Sequence, residues 1–132
     1  MSTAPVVNGS RIRAVAPQFL VDDLEKAVAY YRDKLGFVTD FVYDSFYAGM
    51  SRDGAPIHLK CAPKALSDRT HRKQNEHLDA YIDVSGLEAL FEELQSRGAT
   101  IVKPLEQRPW ACKDFYVEDV DGYLLCFSEQ TA

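Results

Sequence analysis

The residues of this chain that could do chemistry are mostly rings and carboxylates. Phe41, Phe46 and Tyr47 fall close together, with Asp40 and Asp44 among them, and the only tryptophan, Trp110, follows Pro109. Aromatic faces stack on flat heterocycles and attract cations through the ring quadrupole, about 0.5–2 kcal/mol per contact. Two or three such contacts in an apolar cleft approach the roughly 8 kcal/mol that micromolar binding requires. Tyr81 shares a strand face with Asp79 and Asp83, so it lines the same hollow if that face is concave. Catalytic patterns are absent. There is no G-x-S-x-G and no phosphate-cradling glycine loop, and Cys112, read in a loop after Trp110, has no base placed beside it by the sequence. No catalytic residue is assigned.

Composition narrows the partners. The chain has 132 residues, 46% apolar and 27% charged, with a net charge of −5. That is the size of one globular domain, large enough to fold without staples. The acidic balance argues against nucleic acid, whose binding needs clustered Lys and Arg. Cys61, Cys112 and Cys126 are an odd number with no CxxC spacing, which points to a reducing cytoplasm rather than a disulfide framework. No run is long and apolar enough for a membrane span. Residues 1–10 read as a flexible tail without a secretion signal.

Two helices must position these residues. Leu24, Ala27, Val28, Tyr31 and Leu35 form one apolar stripe, with Asp22 and Glu25 as a capping box and Gly36 as the stop. Leu87, Leu90, Phe91 and Leu94 form the second stripe, with Ser85 and Glu88 as its box and Gly98 as its stop. Strands are expected at Arg11–Val21, Phe37–Tyr43, Phe46–Ser51, Ala55–Cys61, Leu78–Val84, Ala99–Lys103, Lys113–Glu118 and Tyr123–Ser128. Asp53-Gly54 and Asp121-Gly122 mark tight turns. The order β–α–β–β–β then occurs twice, in modules of about 11–61 and 77–129, joined by a polar connector at 62–76 that contains His71. A duplicated module is the expected architecture: an α+β domain over 11–132 made of two tandem βαβββ units with cupped mixed sheets.

The run Asp22-Asp23-Leu24-Glu25-Lys26-Ala27-Val28-Ala29-Tyr30-Tyr31, closing at Leu35-Gly36-Phe37, resembles the first-module signature of the vicinal oxygen chelate superfamily of glyoxalases, extradiol dioxygenases and bleomycin-resistance proteins. Phe115–Leu125 resembles its final hairpin. Within it, Asp40-Phe41-Val42 with Phe46-Tyr47-Ala48-Gly49, and Gln107-Arg108-Pro109-Trp110, resemble bleomycin-resistance proteins, although Arg108 interrupts the tighter Gln-Pro-Trp form. The resemblance implies a cytoplasmic homodimer whose clefts sequester a flat, cationic or polar-aromatic drug without turnover or cofactor. Phe41, Phe46, Tyr47 and Trp110 would be the walls, with Asp40 and Tyr81 beside them. The superfamily's enzymes instead hold a divalent metal. Their ligand positions fall near Ala16, near Asp79 and at Cys126, and Ala16 carries no donor. A shifted set of Gln18, His58, His77 and Cys126 has no recognised spacing, so no metal is assigned. A metal-dependent lyase, isomerase or dioxygenase is the alternative function, and an interaction domain without a ligand is the third.

Overall fold

Each helix is held at its N-terminus by a carboxylate, because the first turn of a helix leaves backbone N–H groups unpaired. In the computed structural model, which describes residues 9–62 and 75–131, helix α1 spans Leu24–Asp33 and its cap is Asp23, whose carboxylate accepts from the Lys26 N–H at 3.1 Å. The Asp22–Glu25 box is therefore corrected by one residue; the Asp22 N–H instead donates to the Asp121 carboxylate. Helix α2 spans Leu87–Arg97 and starts after Gly86 at φ 81°, with no side-chain cap of its own. The expected Ser85–Glu88 box is replaced by Glu129, remote in sequence, which accepts from the N–H groups of Gly86 and Leu87. The helix end is then fixed only after the chain's last strand is in place. Both stops hold: Gly36 and Gly98 adopt φ 74° and 84°, the left-handed region that glycine enters without steric cost.

The strands are β1 Gln18–Val21, β2 Val38–Tyr43, β3 Tyr47–Arg52, β4 Ala55–Cys61, β5 Ala80–Asp83, β6 Thr100–Arg108, β7 Cys112–Glu118 and β8 Leu124–Gln130. They form two four-stranded sheets, ordered β1-β4-β3-β2 and β5-β8-β7-β6. In each, the strand before the helix pairs parallel with the module's last strand and the other pairings are antiparallel. The duplicated α+β architecture with mixed sheets is therefore present. Strand β1 starts only at Gln18, because Pro17 has no N–H to give a ladder. Strand β6 runs five residues past its expected end to Arg108. Register shifts around Lys103 absorb Pro104, so the polar run Lys103–Arg108 stays in the sheet. Cys112, expected in a loop, is buried at the start of β7. The connector with His71 and the first eight residues of the tail lie outside the described residues, apart from Ala62, Asn75 and Glu76 at the connector's ends.

The inner faces of both sheets and the apolar stripes of both helices share one core, including Phe19, Val21, Tyr31, Met50 and Leu59 from the first module and Leu94, Phe115, Leu125 and Phe127 from the second. Polar ties cross the seam. Tyr31 donates to Asp119 at 2.6 Å, Tyr30 donates to the Glu118 carbonyl, and the Tyr123 hydroxyl bonds the backbone of Leu20 while its ring stacks on Phe19 at 4.2 Å. Arg52 forks onto both carboxylate oxygens of Glu93 at 2.7 and 2.9 Å.

These ties make stability depend on pH in two opposed ways. Burial raises the Asp119 carboxyl from 3.8 to about 6, against the hydrogen bonds from Tyr31 and the Tyr123 and Asp121 N–H groups that favour its charged form. The folded state thus holds a proton that the unfolded chain releases near 4. This contribution is complete below about 4 and is lost as pH rises through about 6, by about 2–3 kcal/mol. Glu93 runs the other way. The hydrogen bond from Arg52 lowers its carboxyl to about 2, so its contribution stands above 4.5 and disappears as pH falls towards 2. We expect Asp119→Asn to abolish the loss of stability between pH 4 and 6.5, measured by denaturant titration at each pH. A wild-type and variant difference that is flat across that window would refute the assignment. Glu129→Ala should lower the denaturation midpoint through loss of the α2 cap.

A ring-lined sheet face and an ion-filled one

With one face of each sheet committed to the core, side-chain alternation sends every second residue to the opposite face. In the first module the ladder sets Gln18, His58, Gly49 and Phe41 side by side in one row, and Lys60, Tyr47 and Tyr43 in the next. The Phe41 ring lies across Gly49, where a Cβ would come within 2.2 Å of it. Only glycine permits that overlap, which is a common meaning of glycine inside a strand. Phe41 stacks parallel to Tyr47 at 6.1 Å and meets His58 edge-on at 5.6 Å; Phe46 lies 6.2 Å from Tyr47. The Tyr47 hydroxyl accepts from Gln18 Nε2 at 2.9 Å and sits 2.9 Å from His58 Nδ1.

Phe41 and Phe46 remain 45% and 44% exposed, and all of β2 is exposed. Large rings left in water on a paired sheet are the uncommon observation, since aromatic side chains are normally among the most buried. The charge against these rings is cationic: Lys60 Nζ lies 5.6 Å from the Phe46 centroid. Asp40 sits at the β2 bulge, exposed, and takes no part in the ring cluster.

Trp110 and Tyr81 belong to the second module. Trp110 occupies the β6–β7 turn, 64% exposed, with the Arg108 guanidinium 5.1 Å from its ring. The Tyr81 hydroxyl donates to Ser128 Oγ at 2.8 Å. The structure thus brings Phe41, Phe46 and Tyr47 together and sets Trp110 and Tyr81 on the other sheet. Sequence reading missed Gly49 and Lys60, although alternation along β3 and β4 carries both to the ring face.

The second module's corresponding face is filled by its own side chains. Tyr116, Leu124 and Cys126 are buried there with Leu78 and Val102 against them. Asp114, 3% exposed, takes Lys103 at 2.6 Å and Arg108 Nε at 3.1 Å. Burial pushes the Cys126 thiol up to about 12, so it stays protonated and is a poor metal ligand. Gln18 and His58 do stand together, but Ala16 offers no donor. Among the described residues, no three His, Cys, Asp or Glu side chains converge for an ion. The chain's own residues do not fit the metal centre of the superfamily's enzymes.

A separate cavity of about 940 Å³ opens at the seam between α2, β5 and the β3–β4 hairpin, walled by Phe37, Ile57, Ile82, Leu90 and Phe127. Of the candidate ligand residues only Tyr81 reaches it. Of its charged lining residues, Arg52 and Glu93 pair with each other. No helix among the described residues is long and apolar enough to cross a membrane.

Known proteins share this arrangement. The family model for the Glyoxalase/Bleomycin resistance protein/Dioxygenase superfamily matches residues 11–127. A bleomycin resistance protein of Geobacillus stearothermophilus is 27% identical over 130 residues, covering 86% of this chain and 94% of that one. Among solved structures, a glyoxalase-related enzyme from Clostridium phytofermentans superposes with a TM-score of 0.73 at 17% identity, covering 94% of this chain and 99% of that one. The bleomycin-binding protein of Streptomyces verticillus, solved with copper(II)-bleomycin, superposes with a TM-score of 0.65 at 23% identity, covering 93% and 98%. At these identities the superpositions speak for the fold alone, and the match of the family model over nearly the whole chain decides membership: the protein belongs to the glyoxalase, bleomycin resistance and dioxygenase superfamily.

Proposed function

We propose that this protein binds and sequesters a polar-aromatic small molecule of the bleomycin type on the ring-lined face of its first module, acting as a homodimer in the cytoplasm and without turning the ligand over. The observation that carries this reading is the exposed, mutually oriented set of Phe41, Phe46 and Tyr47, levelled by Gly49. A flat ligand laid on this face meets ring planes already held in place, so little side-chain entropy is lost on binding. Gln18 and His58 Nε2 at one edge supply hydrogen-bond groups that orient it. The name of the Geobacillus relative and the ligand of the Streptomyces structure support bleomycin as the first compound to try.

Geometry supports dimerisation in this reading. A single ring-lined sheet holds only one side of a flat molecule, so a second wall is needed. Trp110 lies on the other module, and in this reading a partner's second module brings its exposed indole opposite the first module's rings. The large exposed apolar groups Val38, Phe41, Val42 and Tyr43 on β2 are the kind of surface that a subunit contact covers.

The metal-dependent alternative keeps one observation in its favour, the adjacency of Gln18 and His58 on neighbouring strands. Metal analysis of the purified protein separates the two readings. We expect less than one-tenth equivalent of Fe, Mn, Ni or Zn after dialysis; a stoichiometric ion lost on His58→Ala would overturn sequestration in favour of the enzyme. For ligand binding, Phe41→Ala and Trp110→Ala should each raise the Kd for bleomycin at least tenfold in calorimetry. Both side chains are substantially exposed, so the melting temperature should fall by only a few degrees. Native mass spectrometry should show the doubled mass. Unchanged affinity in both variants, with bleomycin bound, would remove the rings from the site.

A further inference from the structure

The ion cluster of the second module contains a group that behaves as a bound ligand. Tyr116 donates to Glu76 Oε1 at 2.7 Å, and Arg108 Nη2 reaches the same oxygen at 2.9 Å. The two donors come from adjacent strands, β7 and β6, and Arg108 Nη2 also bonds the Tyr116 oxygen at 2.8 Å. Glu76 comes from the segment before β5, 32 and 40 positions away from them. The donors are fixed in place: the Arg108 side chain is 13% exposed and Tyr116 6%. Their partner is not, because the Glu76 side chain is 52% exposed. Its backbone stands at φ 55°, a conformation that L-residues other than Asn and Asp avoid.

Charge bookkeeping explains why a carboxylate sits there. Two cations, Lys103 and Arg108, flank the buried Asp114, which cannot balance both. Glu106 touches Lys103 alone, at 3.4 Å from the rim. The Arg108 end is balanced by Glu76, and the hydrogen bonds from Tyr116 and then Arg108 hold the Glu76 carboxyl below its ordinary range. If Glu76 swings out, Arg108 Nη2 and the Tyr116 hydroxyl lose the acceptor oxygen they share, while Arg108 keeps Asp114 through its Nε. The same guanidinium lies over one face of Trp110 at 5.1 Å, and the residue as a whole is 64% exposed. A fixed pair of donors beside an exposed indole is a receptor for one carboxylate attached to an aromatic ring.

We propose that Arg108, Tyr116 and Trp110 form a binding subsite for an aryl monocarboxylate, and that Glu76 occupies it as a built-in competitor. A carboxylate replaces Glu76 group for group, and a cation is repelled by the guanidinium. Because Glu76 is tethered, its effective concentration at the site is in the millimolar range or higher, so the wild-type protein admits only ligands that beat it. Its three groups come from one chain, and it shares Trp110 with the binding reading above.

Benzoate is the probe, with Trp110, the sole tryptophan, as fluorescent reporter. Glu76→Ala should bind benzoate at least tenfold more tightly than wild type, while benzamide, isosteric but neutral, gains nothing. Adding Tyr116→Phe to Glu76→Ala should return most of that gain. Glu76→Gln keeps the shape and removes only the charge; it should shift affinity in the same direction, which guards against an alanine variant that folds poorly. Equal benzoate affinity in wild type and both Glu76 variants, or an equal gain for benzamide, would overturn the proposal.

Discussion

The shared core is the constraint on which the rest of the structure depends. Each module could bury one face of its sheet beneath its own helix, but here both inner faces and both helix stripes merge across the seam. The tie at its centre is the hydrogen bond from Tyr31 to Asp119, a carboxylate 5% exposed. A buried carboxylate is stabilising only if its oxygens are occupied, and Asp119 also takes the N–H groups of Asp121 and Tyr123. It thereby shapes the β7–β8 turn and anchors α1 with one side chain. Once the modules are joined in this way their outer faces have no partner within the seam, and each must be exposed, filled or covered from elsewhere.

The two modules resolve this differently, although their topology is the same. In the first, the outer face carries rings over a glycine and remains open. In the second, the long β6 strand brings Lys103 and Arg108 over Asp114 and Tyr116, and Leu78 packs against Cys126 and Leu124 from the segment before β5. A buried ion cluster of this kind is weak evidence for stability, since desolvation consumes most of the attraction. It is strong evidence for position, because each charge has a partner only in one arrangement. The duplication has therefore given one face suited to flat apolar surface and another built on fixed charge.

The division between what was legible in the sequence and what was not tracks the range of the interactions. The stripe from Leu24 to Leu35, the stops at Gly36 and Gly98 and the Asp53-Gly54 turn are local, and the repeat of the whole pattern gave the architecture. The α2 cap could not be read, because Glu129 lies beyond the last strand's midpoint and nothing near Gly86 signals it. Ser85 with Glu88 was a plausible local answer to a need met from a distance. Strand β6 was cut short for a related reason. Pro104 and the charges after Lys103 look like the end of a strand until the bulges that tolerate them are seen. Of the site, the types Phe41, Phe46 and Tyr47 were legible. Their convergence depends on cross-strand register, as does the separation of Trp110 and Tyr81 from them, and register is a tertiary property.

The row Gln18, His58, Gly49, Phe41 places two polar side chains, a glycine and a ring side by side on one face. Two donors that could begin a metal site stand at one end. Beside them in the row come a residue with no side chain and a ring that lies over it. The ring covers the middle of the face beside His58, and the Tyr47 hydroxyl spans the gap between Gln18 and His58 Nδ1. The imidazole is then already oriented, with one nitrogen committed to a phenol and the other directed outward among aromatic edges. A third donor would have to displace the Phe41 ring to converge on the same point. Removing that ring while leaving Gly49 would give the face room but no ligand, and restoring a side chain at position 49 would push the ring away without supplying a carboxylate at position 16. Several coupled substitutions thus separate this face from an ion-binding one, whereas a stacking surface needs only what is already there.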